Sequence, residues 1–199
     1  MTITKTYTEP PFCEKEILRY AGCKNPDSEV LSLLHSCQEK VRTKLSYKVC
    51  YRELPLSVSE SSCDFGFFTL HSKNLAGNLN DCKSVILFSA TVGIEIDRLI
   101  AKYGRLSPST ALMLQAIGAE RIEALCGAFC ANMAEEKNVV LRPRFSPGYG
   151  DLPLEAQKDI FAVLECEKRI GLFLNDSLLM SPSKSVTAFV GCVDGNSLQ

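Results

Sequence analysis

The segment SPSTALMLQAIGAERIEALCGAFCANMAEEK, residues 107–137, is the longest helix signal in the chain and constrains its fold more than any other stretch. Ser107 or Ser109 can cap this helix, and Pro108 suits its first turn. Glu123 lies near its middle. Its same-face neighbours, one and two turns away in each direction, are Ala116, Ala119, Gly127 and Cys130. A stripe of small side chains lets another element approach closely. A carboxylate buried within such a stripe needs a partner. Glu120 is a rival for that place, since it neighbours Ala116, Ala124 and Gly127. A stripe that faces solvent, or a Glu123 at its rim, fits the same periodicity.

The helix leads into RPRFSPGYGDLP, residues 142–153. Proline fixes φ and lacks a donor, and glycine opens backbone conformations that other residues avoid, so this is a stiff loop rather than a helix or a central strand. Arg144 suits a ligand carboxylate, because its planar fork can hold two oxygens. The Pro-Gly-Tyr turn can offer backbone groups and an aromatic face. A buried acid suits an ammonium or sulfonium. Together these are the groups an amino-acid-like ligand needs, although a surface ion pair is the commoner fate of a lone arginine.

Elsewhere the periodicity predicts helices over EKEILRY, stopped at Gly22, and over DSEVLSLLHSCQEKVRTK, capped by Asp27 or Ser28. In the second, Val30, Leu33, Leu34, Cys37 and Val41 form one apolar face. SYKVCYREL, FGFFTL, KSVILFSATVG, RIGLFLN and KSVTAFVGC read as strands. HSKNLAGNL reads as a short helix, IEIDRLIAKYG as a helix stopped by Gly104, and PLEAQKDIFAVLE as another helix. The order is not a clean βαβ alternation. It predicts an α+β fold, with helices packed on a mostly antiparallel sheet and one long central helix, in a single domain.

A net charge of −1 with no basic stripe argues against nucleic acid as a partner, and no apolar run is long enough to predict a membrane span. The N-terminal stretch has no apolar core of a secretory signal. The ten cysteines include no CxxC pair, and the two histidines, His35 and His71, fall in different elements. Reduced, mostly core cysteines in a cytoplasmic protein are the expectation, with no disulfide framework and no metal site. Cys126 and Cys130, the closest pair, share one helix face.

The run RFSPGY, residues 144–149, resembles the Arg-x-x-Pro-Gly-Tyr turn of the activation domain of cobalamin-dependent methionine synthase. LMLQAIGAERIEALCGAF resembles that domain's long helix. IFAVLECEKRIGLFLNDSLLMSPSKSVTAFV resembles its later helix, strand, Met-x-Pro turn and Ser-Val strand. The likeness is best over residues 81–192 and holds only in outline over 1–80. It implies one activation-like domain over 1–199, acting as a free-standing subunit. It also implies binding of S-adenosylmethionine and docking on a separate cobalamin-binding domain, of methionine synthase or of another corrinoid protein. A flavodoxin-like or ferredoxin-like donor would reduce inactive cob(II)alamin, and the methyl group of S-adenosylmethionine would trap the reduced cobalt.

On that resemblance Glu123 would bind the ligand's ammonium and Arg144 its carboxylate. Phe145 and Ser146 would offer backbone groups, Gly148 would allow close approach, and Tyr149 would pack beside the ligand. No catalytic acid, base or nucleophile is implied, because positioning matters most when the nucleophile is already strong. After Tyr149 this chain reads Gly-Asp-Leu-Pro, where the family has a proline- and cysteine-containing segment. A docking module that does not itself bind S-adenosylmethionine is the alternative. An independent enzyme using cysteine or a metal fits the residues less well.

Overall fold

The structure is a computed structural model that describes residues 1–194. Residues 195–199 of the expected domain lie outside the described residues. In chain order the elements are β1 (Ile3–Tyr7), α1 (Glu14–Tyr20), α2 (Ser28–Val41), β2 (Tyr47–Pro55), β3 (Ser57–Val58), β4 (Ser62–Asp64) and β5 (Thr69–His71). They continue with α3 (Lys73–Asn78), β6 (Ser84–Thr91), α4 (Glu95–Leu106), α5 (Pro108–Lys137), β7 (Val139–Leu141), α6 (Ala156–Leu164) and α7 (Cys166–Ile170). The chain closes with β8 (Phe173–Leu174), β9 (Met180–Ser181) and β10 (Ser185–Asp194).

The main sheet has the order β1-β2-β6-β10-β7, and every pairing in it is antiparallel. Both faces of its centre are covered, and the residues alternate between them as a strand requires. Val49, Tyr51, Ile86, Phe88, Ala90, Ala188 and Val190 face one core, which α1, α2, α4 and α5 close. Cys50, Leu54, Val85, Leu87 and Phe189 face the other, which α3, α6, α7 and the small β3-β4-β5 sheet close. Burial on both faces is why β6 carries the consecutive apolar residues Val85–Phe88 rather than an alternating pattern. The α+β architecture expected from the sequence is the one observed.

The long helix extends for 30 residues, roughly 45 Å at 1.5 Å per residue. Ser107 sits at its N-cap and Pro108 in its first turn, but the Ser107 hydroxyl pairs with the Thr110 hydroxyl at 2.8 Å rather than with a backbone amide. Asn138, left-handed at φ 51°, ends the helix. In α2 it is Asp27 that caps, accepting from the Val30 amide at 2.9 Å.

Three expected elements differ. FGFFTL supplies only Thr69 and Leu70 to strand β5, because Gly66 at φ +76° folds Phe65–Phe68 into a turn closed by the Phe65 amide on the Phe68 carbonyl at 3.0 Å. RIGLFLN supplies Arg169 and Ile170 to α7, Gly171 caps that helix at φ 68°, and only Phe173–Leu174 is strand. Gly104 does not stop α4, which runs to Leu106. Its end is set by Pro108, since the residue before a proline avoids the helical region and Ser107 is extended at φ −158°.

The buried acid of α5 is Glu120, with its neighbour Arg121. Their side chains are 4% and 0% exposed. The Arg121 Nε and Nη2 groups donate to the two Glu120 oxygens at 2.6 Å each. Arg121 also donates to the carbonyls of Pro10 and Pro11 at 2.5 and 2.8 Å, while Glu120 accepts from the Cys13 amide at 3.2 Å. The Phe12 ring lies 4.0 Å from the guanidinium carbon. The ion pair thus fastens the arm between β1 and α1 onto the middle of the long helix.

Arg121→Met leaves the Glu120 carboxylate buried and unpaired, and is expected to lower stability by about 3–5 kcal/mol. Urea denaturation checks this, and adding Glu120→Gln to the same chain should recover part of the loss. All ten cysteines are free thiols. Burial pushes the Cys63 thiol up to about 11 and the Cys126 thiol up to about 12. Alkylation of the native protein at roughly pH 8, read by mass spectrometry, should therefore mark exposed Cys13 first and spare Cys63 and Cys126 until denaturant is added.

Candidate functional site

Arg144 and Glu123 meet. The Arg144 Nη2 group donates to a Glu123 oxygen at 2.6 Å, joining the loop after β7 to the middle of α5. The side chains are 31% and 44% exposed, so this is a rim pair and not a buried one. The small-residue stripe explains how it stays open. A Cβ on Gly127, one turn along, would meet nothing, and Glu123 itself projects into solvent. The carboxylate that needs a partner because it is buried is Glu120, and it has one.

Glu123, Pro143, Arg144, Ser146 and Val186 line an open cleft of about 490 Å³. Cys126 lies beneath Arg144, buried. Burial raises its thiol, and the neighbouring guanidinium pulls weakly the other way. Burial likewise raises the half-buried Cys130 thiol, again opposed by Arg144. Neither is poised as a thiolate nucleophile. Among the described residues no three metal-ligating side chains converge, and no helix is long and apolar enough to cross a membrane.

The turn is held by the sheet on one side. The Phe145 amide donates to the Phe189 carbonyl at 2.9 Å, and the Phe189 amide donates back at 2.8 Å. Together with the Arg142 amide on the Gly191 carbonyl at 2.9 Å, this carries the edge pairing of β7 along β10. Phe145, expected to offer backbone groups to a ligand, has both engaged and its ring buried; its part is to anchor the turn. Ser146 differs. It lines the cleft, its carbonyl accepts from the Tyr149 amide at 3.1 Å, and its own N–H has no partner among the described residues.

Gly148 adopts φ +84°, a left-handed conformation that glycine permits, and the Pro147–Gly148 bend turns the chain back on itself. Tyr149 is 70% exposed, its ring edge-on to Phe145 at 5.4 Å between centroids. Neither Gly148 nor Tyr149 lines the cleft. Of the six expected site residues, Glu123, Arg144 and Ser146 are brought together there. Two lining residues escaped the sequence reading, Pro143 and Val186, although Val186 stands in the Ser-Val strand that carried part of the family likeness.

No family model and no curated protein matches the chain. Among solved structures it is similar to the crystal structure of the MetH reactivation domain bound to AdoHcy. The match has a TM-score of 0.69 and 15% identity, and covers 100% of this chain and 80% of that one. The chain has the fold of the MetH reactivation domain. The likeness read from the sequence therefore holds for the fold of the whole chain, including residues 1–80, where the sequence agreed only in outline.

The same turn is pinned at its far end. Gly150 is left-handed at φ +59°, and a Cβ there would collide with the Asn74 side-chain oxygen. Gly150→Ala is expected to lower stability by about 1–2 kcal/mol. A thermal melt should show the loss, whereas Gly127→Ala, on an open helical face, should hold or raise the melting temperature.

Proposed function

We propose that this protein binds S-adenosylmethionine in the Glu123–Arg144 cleft and supports reductive methylation of cobalamin carried by a partner. The observation that carries the reading is the pairing of an arginine and a carboxylate at an open cleft, on the fold of a domain crystallised with AdoHcy. A cleft of about 490 Å³ lies in the ordinary range for small-ligand sites. The groups fit an amino-acid headgroup. Arg144 would donate to the carboxylate, Glu123 would accept from the ammonium, and the Ser146 N–H would add a donor on the carboxylate side. Gly148 and Tyr149 would border the ligand outside the cleft floor.

The bound ligand would supply an electrophilic methyl group on its sulfonium. The chain's own task is to hold that group toward a docked corrinoid. Orientation is the contribution this requires, and no general acid or base is needed. The partner would be the cobalamin-binding domain of a methionine synthase or of another corrinoid protein. An electron from a flavodoxin-like or ferredoxin-like donor would convert cob(II)alamin to the cob(I) nucleophile, which takes the methyl group and leaves S-adenosylhomocysteine. The role belongs to methionine biosynthesis in the cytoplasm, with residues 1–199 acting as one activation-like domain.

One observation favours a second reading. Arg144 and Glu123 satisfy each other at 2.6 Å with no ligand between them. A docking module for a corrinoid protein, retaining the fold without binding S-adenosylmethionine, would look the same.

Calorimetric titration of the reduced protein with S-adenosylmethionine separates the two. Saturation near one ligand per chain is expected. Arg144→Ala should weaken it by about 2 kcal/mol and Glu123→Gln by about 1–2 kcal/mol, the range for hydrogen bonds to charged groups. Equal binding by both variants would remove this site. No binding at millimolar ligand, alone or with a cobalamin-loaded partner, would leave the docking reading.

A further inference from the structure

The candidate cleft is held in shape by a helix that no part of the ligand reading uses. The helix α3, Lys73–Asn78, grips the arginine-bearing segment at both ends. At the near end, Asn78 Nδ2 donates to the Pro143 carbonyl at 3.2 Å, immediately before Arg144. At the far end, the Asp151 carboxylate takes the Ser72 hydroxyl, the Lys73 amide at 2.8 Å and the Asn74 amide at 3.2 Å. The Asp151 amide returns a bond to Asn74 Oδ1 at 3.2 Å, and Gly150 lies against the same Asn74 side chain. Residues 143–151 are therefore a closed loop clipped to one helix, with Arg144, Ser146 and Tyr149 between the clips.

We infer that Asp151 is a positioning residue: through α3 it fixes the turn that brings Arg144 and Ser146 to the cleft. Three lines support this. The first turn of a helix has amides without intrahelical partners, and a carboxylate satisfies them with favourable charge as well as geometry. Here the acid comes from a distant loop rather than from the cap position, which Ser72 occupies by accepting from the Leu75 amide at 3.0 Å. The bonds therefore hold the loop as much as the helix. The Ser72 hydroxyl, together with the two backbone amides, keeps the Asp151 carboxyl below the usual aspartate range, so the charged form is the one the clip binds.

The second line is how the stretch is otherwise held. Arg144 is tied to Glu123 and to the Cys126 thiol beneath it, the Phe145 bridge holds the near end to the sheet, and the bonds of Gly148 and Tyr149 to Leu152, like that of Tyr149 to Ser146, lie within the loop itself. Bonds internal to a turn keep its shape more than its placement, so the tie to α3 gives the far end a polar anchor outside the loop. The third is the anchorage of α3 itself, whose Leu75 and Ala76 are buried in the second core. The clip thus refers the turn to the interior of the protein rather than to another loop. Asp151 falls in the Gly-Asp-Leu-Pro segment, where the sequence departs from the family likeness.

The inference rests on the S-adenosylmethionine reading for its functional half and on geometry for its structural half, and the experiment has an arm for each. Hydrogen exchange of the full-length protein is followed at the Phe145, Gly148 and Tyr149 amides. Binding is followed by titration with S-adenosylhomocysteine. Asp151→Asn is expected to speed exchange of these amides by about tenfold, leave β6 protection unchanged, and weaken ligand binding by roughly five- to tenfold. Asn78→Ala, at the other clip, should speed the same amides less, and Asp151→Glu should restore part of both effects.

Unchanged exchange across 144–150 in Asp151→Asn and Asn78→Ala overturns the inference. So does faster exchange with undiminished ligand affinity, since the turn would then be held by Asp151 without serving the site. If the wild-type protein itself fails to bind the ligand, the S-adenosylmethionine reading falls, and the exchange arm alone decides whether Asp151 positions the turn. If Asp151→Asn loses protection in β6 as well, it has unfolded the protein, and Asn78→Ala and Asp151→Glu decide.

Discussion

An arginine with no solvent exposure, in the middle of a long helix, dictates much of what surrounds it. Arg121 brings five N–H donors and a permanent charge into a protein interior, where an unpaired ion is prohibitive. Its bidentate pair with Glu120 neutralises the charge but leaves donors over. Those are met by backbone carbonyls of Pro10 and Pro11, groups that a proline-rich arm presents freely because it forms no ladder. The arm must therefore lie across α5 at that level. Tyr47, at the start of β2, closes the same cluster, its phenol pushed up by burial and its hydroxyl donating to Glu9 at 3.1 Å. One ion pair thus ties the N-terminal arm, the long helix and the central sheet together.

That fixed helix is what gives Glu123 its position. The residue is less than a turn beyond Arg121 and points to the opposite side, toward the loop after β7. The resulting contrast explains the division of labour between neighbouring acids. Glu120 is locked by the fully buried Arg121 and by the Cys13 amide, and is a structural group. Glu123 meets a partner that is partly in water, and such pairs contribute only about 0–1 kcal/mol. A weak rim pair is easy to exchange. A zwitterionic headgroup can replace the mutual contact with two equivalent ones at little electrostatic loss, so net affinity has to come from burying the rest of the ligand.

The helices were legible because their pattern and their ends are local. Asp27, Pro108 and the apolar spacing of α2 act within a turn or two of themselves, and β6 announces itself by burial on both faces. What failed to show was decided at a distance or by a single dihedral. Gly66 turns an aromatic run out of the ladder, and Phe65 enters the second core instead, against Phe189 at 5.0 Å, with Phe68 packed beside it and Phe67 left exposed. Gly104 looks like a stop signal, yet a glycine ends a helix only when the chain goes left-handed there, and this one does not. β1, which the periodicity did not single out, is a half-exposed edge strand whose pairing with β2 supplies what its own sequence lacks. Of the site, Arg144 and the Pro-Gly turn could be picked out from their chemistry. Which acid of the helix faced them could not, because Glu120 and Glu123 satisfy the same small-residue stripe and only the packing of the arm on Arg121 separates them.

Low identity with a shared fold follows from how few of these constraints need particular residues. An antiparallel sheet covered on both sides asks for apolar side chains of suitable volume at alternate positions, and many sequences meet that demand. At 15% identity the fold can persist while each polar device is rebuilt. The clip between Asp151 and α3 is one polar device of this chain. It uses a short helix and a loop that share no local sequence pattern, and its value is the rigidity it gives a turn rather than any contact with a ligand. If rigidity of that turn is what a small-molecule site on this fold requires, then the groups that touch the ligand can be few, and the support behind them can differ in chemistry from one protein to the next. The cleft of this chain brings together an arginine, an acid and Ser146, and a clip to α3 holds the loop that carries the arginine and the serine.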